Sequence, residues 1–501
     1  MLLKNLDYSK SLGELFCDST LANRELHVSG IAIDSRKVKP GDLFLAYKGS
    51  QNNGMDYIEE AVQSGAIAIA IDNEETISVE LSSTKIFKVI GLRKRAGYII
   101  SRFYDEPSKS IQLIGVTGTN GKTTVSYMIA YALYILGKQS ALISTLGYGR
   151  FLHLEDSTTT TPDPVTLHSL LTNWRDNIDF VAMEVSSHAI DQGRVAGAIF
   201  DIAVFTNLTR DHLDYHKTIE GYVDAKFQFF QSSGLKHAVI NIDDSYGPQL
   251  IDSLPPGLKI VVFSVKQDLS KLNKKDVSFV CCNEIKTSNL NSTISIDSSW
   301  GQVIIQTSLL GAFNVENILA AFGTLCVSGF NIERIAKTLS EFSGVPGRME
   351  FFYAEDKPLL VIDYAHTPDA LEKALIALRP YCSGKLYCIF GCGGNRDEGK
   401  RSQMGANSER LSDYVVLTND NPRTEAPEKI VENILEGVQN KSTVTIKYDR
   451  SDAIINTFLN ANVNDVILIA GKGHEMTQQI GELLLPFSDR ELARRLTVNE
   501  S

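Results

Sequence analysis

The sequence predicts an α/β protein of three successive units, with mostly parallel sheets in the second and third. Three observations carry that prediction. Apolar runs of strand length recur along the chain with helix-length segments between them, as in strands covered on both faces. Two stretches, Asp105-Glu106-Pro107-Ser108 and Gly344-Val345-Pro346-Gly347-Arg348, break helical periodicity and divide this pattern. A length of 501 residues also exceeds what one hydrophobic core supports. The expected units are residues 1–107, 108–342 and 343–501.

In the first unit, short strands at 28–33, 42–46 and 66–71 and helices at 57–65 and 92–103 make a small α/β domain. In the second, apolar runs at 111–116, 141–144, 180–185, 202–207 and 238–242 suit buried parallel strands. From 259 to 309 the texture turns to β-prone alternation, which predicts an antiparallel extension of that sheet, and helices at 314–328 and 331–341 close the unit. In the third, runs at 359–363, 385–390, 414–418, 443–447 and 466–470 alternate with helical stretches, the pattern of a Rossmann-like, doubly wound sheet. Ligands of such sheets gather beyond the carboxyl ends of the strands, where Asp363, Gly391, Asp420 and Gly471 fall.

Apolar and charged fractions of 43% and 22% are those of an ordinary folded protein and exclude a disordered chain. A net charge of −11 argues against a nucleic-acid surface, although a local basic pocket for an anion fits within an acidic chain. The seven cysteines are odd in number, lack paired zinc-ligand spacing and read as reduced thiols. Lys4 and Asp7 interrupt the stretch that a signal peptide needs to be apolar, and no run reaches bilayer-spanning length, so the expected location is cytoplasmic.

The most informative segment is Gly118-Thr119-Asn120-Gly121-Lys122-Thr123-Thr124, directly after the run 111–116. Strand, Gly-rich turn and helix follow in the order a phosphate-cradling loop requires. Glycines and small residues let backbone N–H groups reach triphosphate oxygens, Lys122 supplies a point charge, and the Thr123 hydroxyl is placed for a phosphate-bound magnesium. The usual first glycine would fall at Val116, which here has glycines at 115 and 118 on either side. ATP is the expected substrate; the alternative is a chance Gly-rich turn.

Glu184 ends the run 180–185 on the same sheet, where it reads equally as a magnesium ligand and as an ordinary strand-end acid. His212 follows another strand, and a loop histidine bonded to its neighbours explains it somewhat better than metal duty. The His212-to-His216 spacing also fits a zinc-binding helix face, but the intervening residues lack a glutamate and no third ligand is evident. Lys226 lies among Phe227, Phe229 and Phe230; desolvation there would lower its pKa, yet alone it reads as a surface lysine with a buried stem.

Taken together, Gly118 to Thr124, Met183-Glu184-Val185-Ser186-Ser187-His188, the stretches 207–216 and 222–230, Gly347-Arg348-Met349-Glu350, Asp363-Tyr364-Ala365-His366-Thr367-Pro368, 391–401, Asp420-Asn421-Pro422-Arg423 and Gly471-Lys472-Gly473-His474-Glu475 closely resemble the Mur ligase family. The motifs occur in the family's order over essentially the whole chain. The resemblance implies a cytoplasmic three-domain enzyme of peptidoglycan precursor synthesis, taken here as a monomer. Such an enzyme uses ATP to phosphorylate the carboxylate of a UDP-sugar peptide and joins an amino acid to it through an acyl phosphate.

By the same resemblance, Lys226 carries a carbamate formed with carbon dioxide, and Thr123, Glu184, His212 and that carbamate serve two Mg2+ ions. Asn317, Arg348 and Asp363 lie near the nucleotide. Ile33, Ser35, Ser50, Gln51 and Asn52 match uridine-binding positions, and Thr160, Thr161, Ser186, Gln192 and Arg194 match those holding UDP-N-acetylmuramoyl-L-alanyl-D-glutamate. The run Thr158 to Thr161 is longer than the usual threonine pair, which leaves its register open. Arg396, Asp420, Asn421, Pro422, Arg423, Gly471 and Glu475 match contacts to the incoming amino acid. Here chemistry discriminates, because an arginine fork at 423 pairs with the distal carboxylate of meso-2,6-diaminopimelate and is left unpaired by lysine. Rival readings are a folylpolyglutamate synthetase, against which the first unit and residues 420–423 speak, and a non-catalytic nucleotide-binding regulator, which would not need the full metal set.

Overall fold

The structure is a computed structural model that describes residues 8–18, 23–49, 52–72, 75, 84–157, 159–269, 276–288 and 291–498. A sheet with parallel strands organises each third of the chain. The first has four parallel strands in chain order, Gly30–Ala32, Asp42–Ala46, Ala68–Asp72 and Lys85–Val89. The two central strands are buried on both faces, in keeping with their nearly continuous apolar composition, while the edge strand Lys85–Val89 exposes Lys85 and Lys88. The helices Leu12–Phe16 and Leu92–Phe103 cover one face, and Ile58–Gln63 covers the other. The expected linker is a tight turn in which Asp105 and Glu106 adopt left-handed backbone angles (φ 58° and 49°). It leads through a 3₁₀ turn at Pro107–Ser110 into the next sheet.

Among the described residues, that second sheet has eleven strands. Its parallel centre places Gln112–Thr117 between Phe180–Glu184 and Ile202–Phe205, with Ser140–Ser144, His237–Asn241 and Lys259–Ser264 further out. The expectation of antiparallel pairing from 259 onward needs correction. Lys259–Ser264 is parallel to both neighbours, and antiparallel pairing begins only where Val277–Ser288 meets Asn291–Ser298. Covering explains the difference. Val261, Val262 and Phe263 are buried like the other central strands, whereas Asn291–Ser298 and Gly301–Thr307 alternate buried and more exposed positions, with helices Ala312–Val327 and Ile332–Ser340 on the buried side. A second antiparallel hairpin, Gly147–Arg150 with His153–Glu155, closes the opposite edge and is not evident in the sequence pattern.

The third sheet runs Glu350–Phe352, Leu359–Asp363, Val466–Ala470, Leu386–Phe390, Tyr414–Leu417 and Val444–Ile446, all parallel except the first. Helices Pro368–Leu378, Arg401–Leu411 and Pro427–Leu435 pack on one face, Arg450–Asn460 and Asp489–Thr497 on the other, so the doubly wound layering holds. The strand order differs from that of a dinucleotide-binding sheet, because the last parallel strand inserts between the first two.

A fully buried ion pair fastens the last helix to this sheet. Arg450 donates from Nε and Nη2 to the two carboxylate oxygens of Asp489, both at 2.8 Å, and from Nη2 to the carbonyl of Ala470 at 2.9 Å. Asp489→Ala strands this guanidinium without its counter-ion, and we expect a loss of ~3–5 kcal/mol in the third domain. The check is the denaturation midpoint of that domain's transition, which should recover in large part when Arg450→Met is added.

Candidate active site

The phosphate loop is shaped by what lies behind it. Between strand Gln112–Thr117 and helix Lys122–Ile135, Gly118 and Gly121 have φ of 147° and 86°. A Cβ on Gly118 would stand 1.9 Å from the Thr206 hydroxyl oxygen, and one on Gly121 would stand 2.6 Å from Oδ1 of Asn317. Only glycine fits either place. The neighbouring strand end clamps the loop: the N–H of Thr119 donates to the Asn207 carbonyl (2.8 Å), that of Asn120 to Asn207 Oδ1 (2.9 Å), and the Thr206 hydroxyl donates to the Asn120 carbonyl (2.6 Å). Among the described residues no side chain caps the helix, so its first-turn N–H groups, including those of Thr123 and Thr124, face the site with the positive end of the helix dipole.

Cations surround this loop. Lys122 donates from Nζ to the carbonyls of Gly118 (2.9 Å) and Thr119 (2.8 Å), and burial lowers its pKa. Lys226 is a correction to the surface-lysine reading, because its helix Ile219–Phe229 turns Tyr222, Val223, Lys226 and Phe229 inward together. Its Nζ donates to the Gly118 carbonyl at 2.8 Å and lies 4.6 Å from the Tyr222 ring centroid. Desolvation, aided by Lys122, pushes its pKa well below the ordinary value.

Thr123 and Glu184 are brought together by a residue the sequence did not single out. Oε1 of Glu184 accepts from the backbone N–H of Thr145 (3.0 Å) and from its hydroxyl (3.1 Å), and the Thr145 and Thr123 hydroxyls are 3.1 Å apart. His212 has a left-handed backbone (φ 55°) and sits edge-on to His188 at 4.8 Å, with Nε2 3.4 Å from Asp211. Burial pushes both rings below the usual imidazole range, His188 to about 4, so they are neutral at pH 7. His216 turns to the Ser187 hydroxyl (3.0 Å). Among the described residues, no three His, Cys, Asp or Glu side chains gather as a metal cluster, so the zinc alternative lacks a ligand set.

A cavity of about 650 Å³ opens between this edge and the carboxyl ends of the third sheet. Arg348 reaches across to donate from Nη2 to the Thr123 hydroxyl (2.9 Å), with its guanidinium 4.1 Å from the Tyr364 ring centroid. Asn120 donates to Asp369 (2.9 Å), and His474 Nε2 meets the Thr145 carbonyl (3.0 Å). Gly347 makes this joint possible, since a Cβ there would lie 2.2 Å from the His474 nitrogen. Half-buried Asp363 accepts from the N–H groups of Met349 and Ala365, both at 2.8 Å. Asp211 faces His366 (3.8 Å) and Lys400 (3.9 Å) from the third domain. Thr145, Asp211, His366, Lys400 and His474 are thus site residues that single-sequence reasoning left unassigned. His366 and His474 stood inside quoted motifs, while Thr145 carried no signal beyond its place after a strand.

Thr160, Thr161, Ser186 and Arg194 line the cavity, and Thr161 joins them by donating to the Glu184 carbonyl (2.8 Å) and accepting from the Ser186 N–H (3.1 Å). Gln192 stands behind them, its Oε1 held by Arg194. On the far wall are Arg396, Asp420, Asn421, Arg423, Gly471 and Glu475, with Pro422 behind. Ile33, Ser35 and Asn52 lie apart from this cavity; the Ser35 hydroxyl donates to Glu60 (2.6 Å). Ser50, Gln51 and Thr158 fall outside the described residues.

The residues fit a metal-bound nucleoside triphosphate. Arg348 Nε, His474 Nδ1 and the hydroxyls of Thr117 and Thr209 are buried without a hydrogen-bond partner among the described residues, an arrangement native proteins keep mainly where a ligand or water completes it. Gly118→Ala should therefore weaken ADP binding at least ~10-fold, read by calorimetry, because the added methyl pushes the loop off Thr206.

Comparison with known proteins agrees with this geometry. The Mur ligase middle domain matches residues 116–325, the glutamate ligase domain of Mur ligases matches 347–473, and the Mur ligase family catalytic domain matches 27–104. The UDP-N-acetylmuramoyl-L-alanyl-D-glutamate–2,6-diaminopimelate ligase of Coxiella burnetii is 44% identical over 473 residues, covering 93% of this chain and 95% of that protein. Its counterpart in Pseudomonas aeruginosa is 43% identical over 486 residues, covering 97% of both. A solved structure of a ligase of the same name superposes with a TM-score of 0.69 at 34% identity, over 98% of this chain and 99% of the other. On its sequence, its sheets and its phosphate loop, the chain belongs to the Mur ligase family.

Proposed function

We propose that this protein joins meso-2,6-diaminopimelate to UDP-N-acetylmuramoyl-L-alanyl-D-glutamate with the hydrolysis of ATP to ADP and phosphate, the reaction named for its relatives. The observation that carries the reading is that one cavity is walled by the phosphate loop on one side and by Arg396, Asn421 and Arg423 on the other. A triphosphate and a second, carboxylate-bearing substrate are thereby offered sites across the same space.

A free carboxylate is a poor acyl donor because oxide does not leave. Transfer of the γ-phosphoryl group to a carboxylate oxygen releases ADP and leaves an acyl phosphate; the amine nitrogen then attacks the acyl carbon, loses a proton, and phosphate departs. Two anions must first approach each other, and Lys122 and Arg348 stand where positive charge is needed. Magnesium, when bound, supplies further charge neutralisation between them. Thr123, Glu184, His212 and Lys226 as its carbamate are the groups we assign to two such ions. What supports the carbamate is the buried, pKa-depressed amine of Lys226, since only a neutral amine adds to carbon dioxide.

The chain is assigned to the cytoplasm, where the nucleotide substrates are; all seven cysteines are unpaired, and among the described residues no helix is long and apolar enough to cross a membrane. It is assigned as a monomer on the family resemblance. The uridine end is assigned to the first domain through Ile33, Ser35 and Asn52, and Ser50 and Gln51 belong to the same assignment.

Phosphate release with ATP, magnesium and the UDP-sugar dipeptide should require diaminopimelate and fail with lysine, ornithine or glutamate; equal turnover with lysine overturns the specificity. Arg423→Ala should raise the KM for diaminopimelate ~100-fold or more and leave ATP affinity within about twofold. Labelled bicarbonate should yield a carbamate carbon resonance that vanishes in Lys226→Arg.

A further inference from the structure

The loop assigned to the amino acid, residues 419–423, leaves its sheet after Tyr414–Leu417 and has little regular structure of its own. Arg423 nevertheless holds a left-handed backbone (φ 54°), a strained choice for a residue with a side chain. Something outside the loop must hold it there.

That support is the two-stranded ribbon Thr477–Ile480 and Leu483–Pro486, which belongs to neither face of the third sheet. Its outer strand is exposed throughout, Leu483 and Leu484 at 67% and 66%, so the ribbon gains little from burial there. An isolated two-stranded ribbon is marginal in water. Its inner strand is spent on the loop. The Arg423 N–H donates to the Gln479 carbonyl (3.2 Å), the Gly481 N–H to the Arg423 carbonyl (2.7 Å), and the Gln479 N–H to Asn421 Oδ1 (2.8 Å).

One side chain completes the clamp. Gln478 is buried, and its Nε2 donates to the carbonyls of Asp420 (2.8 Å) and Asn419 (3.3 Å). No other side chain of the ribbon hydrogen-bonds the loop among the described residues. Asn421 in turn donates to Glu475 (2.9 Å) and accepts from Lys472 (3.1 Å), and Arg423 donates from Nη1 to the Gly394 carbonyl (2.8 Å). The aim of the Arg423 fork therefore depends on the ribbon behind the loop.

We propose that Gln478 is a specificity-positioning residue: by pinning the carbonyls of Asn419 and Asp420 it fixes the loop so that Arg423 selects the incoming amino acid. This rests on the proposed ligase reaction and adds a residue that touches no substrate itself. A misplaced fork costs little in ATP binding but gives up discrimination, since selection by an arginine fork depends on its alignment with the carboxylate.

The test is Gln478→Met, which keeps the volume and removes the donor, together with Gln478→Ala. Each amino acid is assayed separately for kcat/KM, and discrimination is the ratio between the amino acid the parent prefers and the others. Both variants should lower that ratio ~10-fold or more through KM, with ATP and UDP-sugar dipeptide KM values within about twofold of the parent and the third-domain melting temperature of Gln478→Met little changed. Discrimination at the parent's value in a folded Gln478→Met protein overturns the proposal, as does an equal loss with every substrate. The parent's own preference tests the ligase reading separately: a parent that never takes diaminopimelate sinks that reading, while the ratio still reports on Gln478.

Discussion

At Gly118 and Gly121 the turn has no room for a side chain, and the working edge of the central domain is arranged around that close approach. Because the loop backbone lies against Thr206 and Asn207, the carbonyls of Gly118 and Thr119 turn inward, where Lys122 and Lys226 find acceptors. The amide groups of the following helix are left for the opposite side. A single steric requirement thereby separates donors that await an anion from carbonyls that quiet two lysines, Lys226 buried and Lys122 half-buried.

Those lysines show how burial and charge are balanced. Neither has a carboxylate in direct contact among the described residues, and backbone oxygens with the Tyr222 ring take that place. An amine so placed is costly to keep protonated, and its pKa falls. The same depression that would be a defect in a structural lysine is an asset where an amine must react with carbon dioxide. Thr145 solves the complementary problem, holding the Glu184 carboxylate against Thr123 while its own carbonyl meets His474 of the third domain. Domain contact and the placing of the Glu184 and Thr123 oxygens are therefore joined through one residue.

The third domain meets the central edge through the carboxyl ends of its own strands, so two sheets present their ligand-binding ends to each other. Polar loops fill that interface, and Gly347 lets the chain pass close enough for Arg348 to cross. The loop assigned to the amino acid borrows its shape from neighbours: residues 391–396 on one side, the ribbon on the other.

Most strand and helix positions were legible in the sequence because covered parallel strands are continuously apolar and helices are periodic; Gly118 to Thr124 stood out because a Gly-rich turn between strand and helix is written locally, whereas Glu184 read equally as a strand-end acid and residues 420–423 were picked out only by the family resemblance. The burial of Lys226 was not legible, since the sequence shows phenylalanines beside it but not which face of the helix turns inward. Strand order was not, because the insertion of Val466–Ala470 between earlier strands leaves no mark on composition. Thr145, His474 and Gln478 acquire meaning only when segments distant in the chain meet, Thr145 with His474 across two domains and Gln478 with a loop nearly sixty residues away. Sequence alone determined which backbone segments form and which groups carry charge; tertiary structure decided which of those groups are dry and which face one another, because burial and distance are properties of the packed chain.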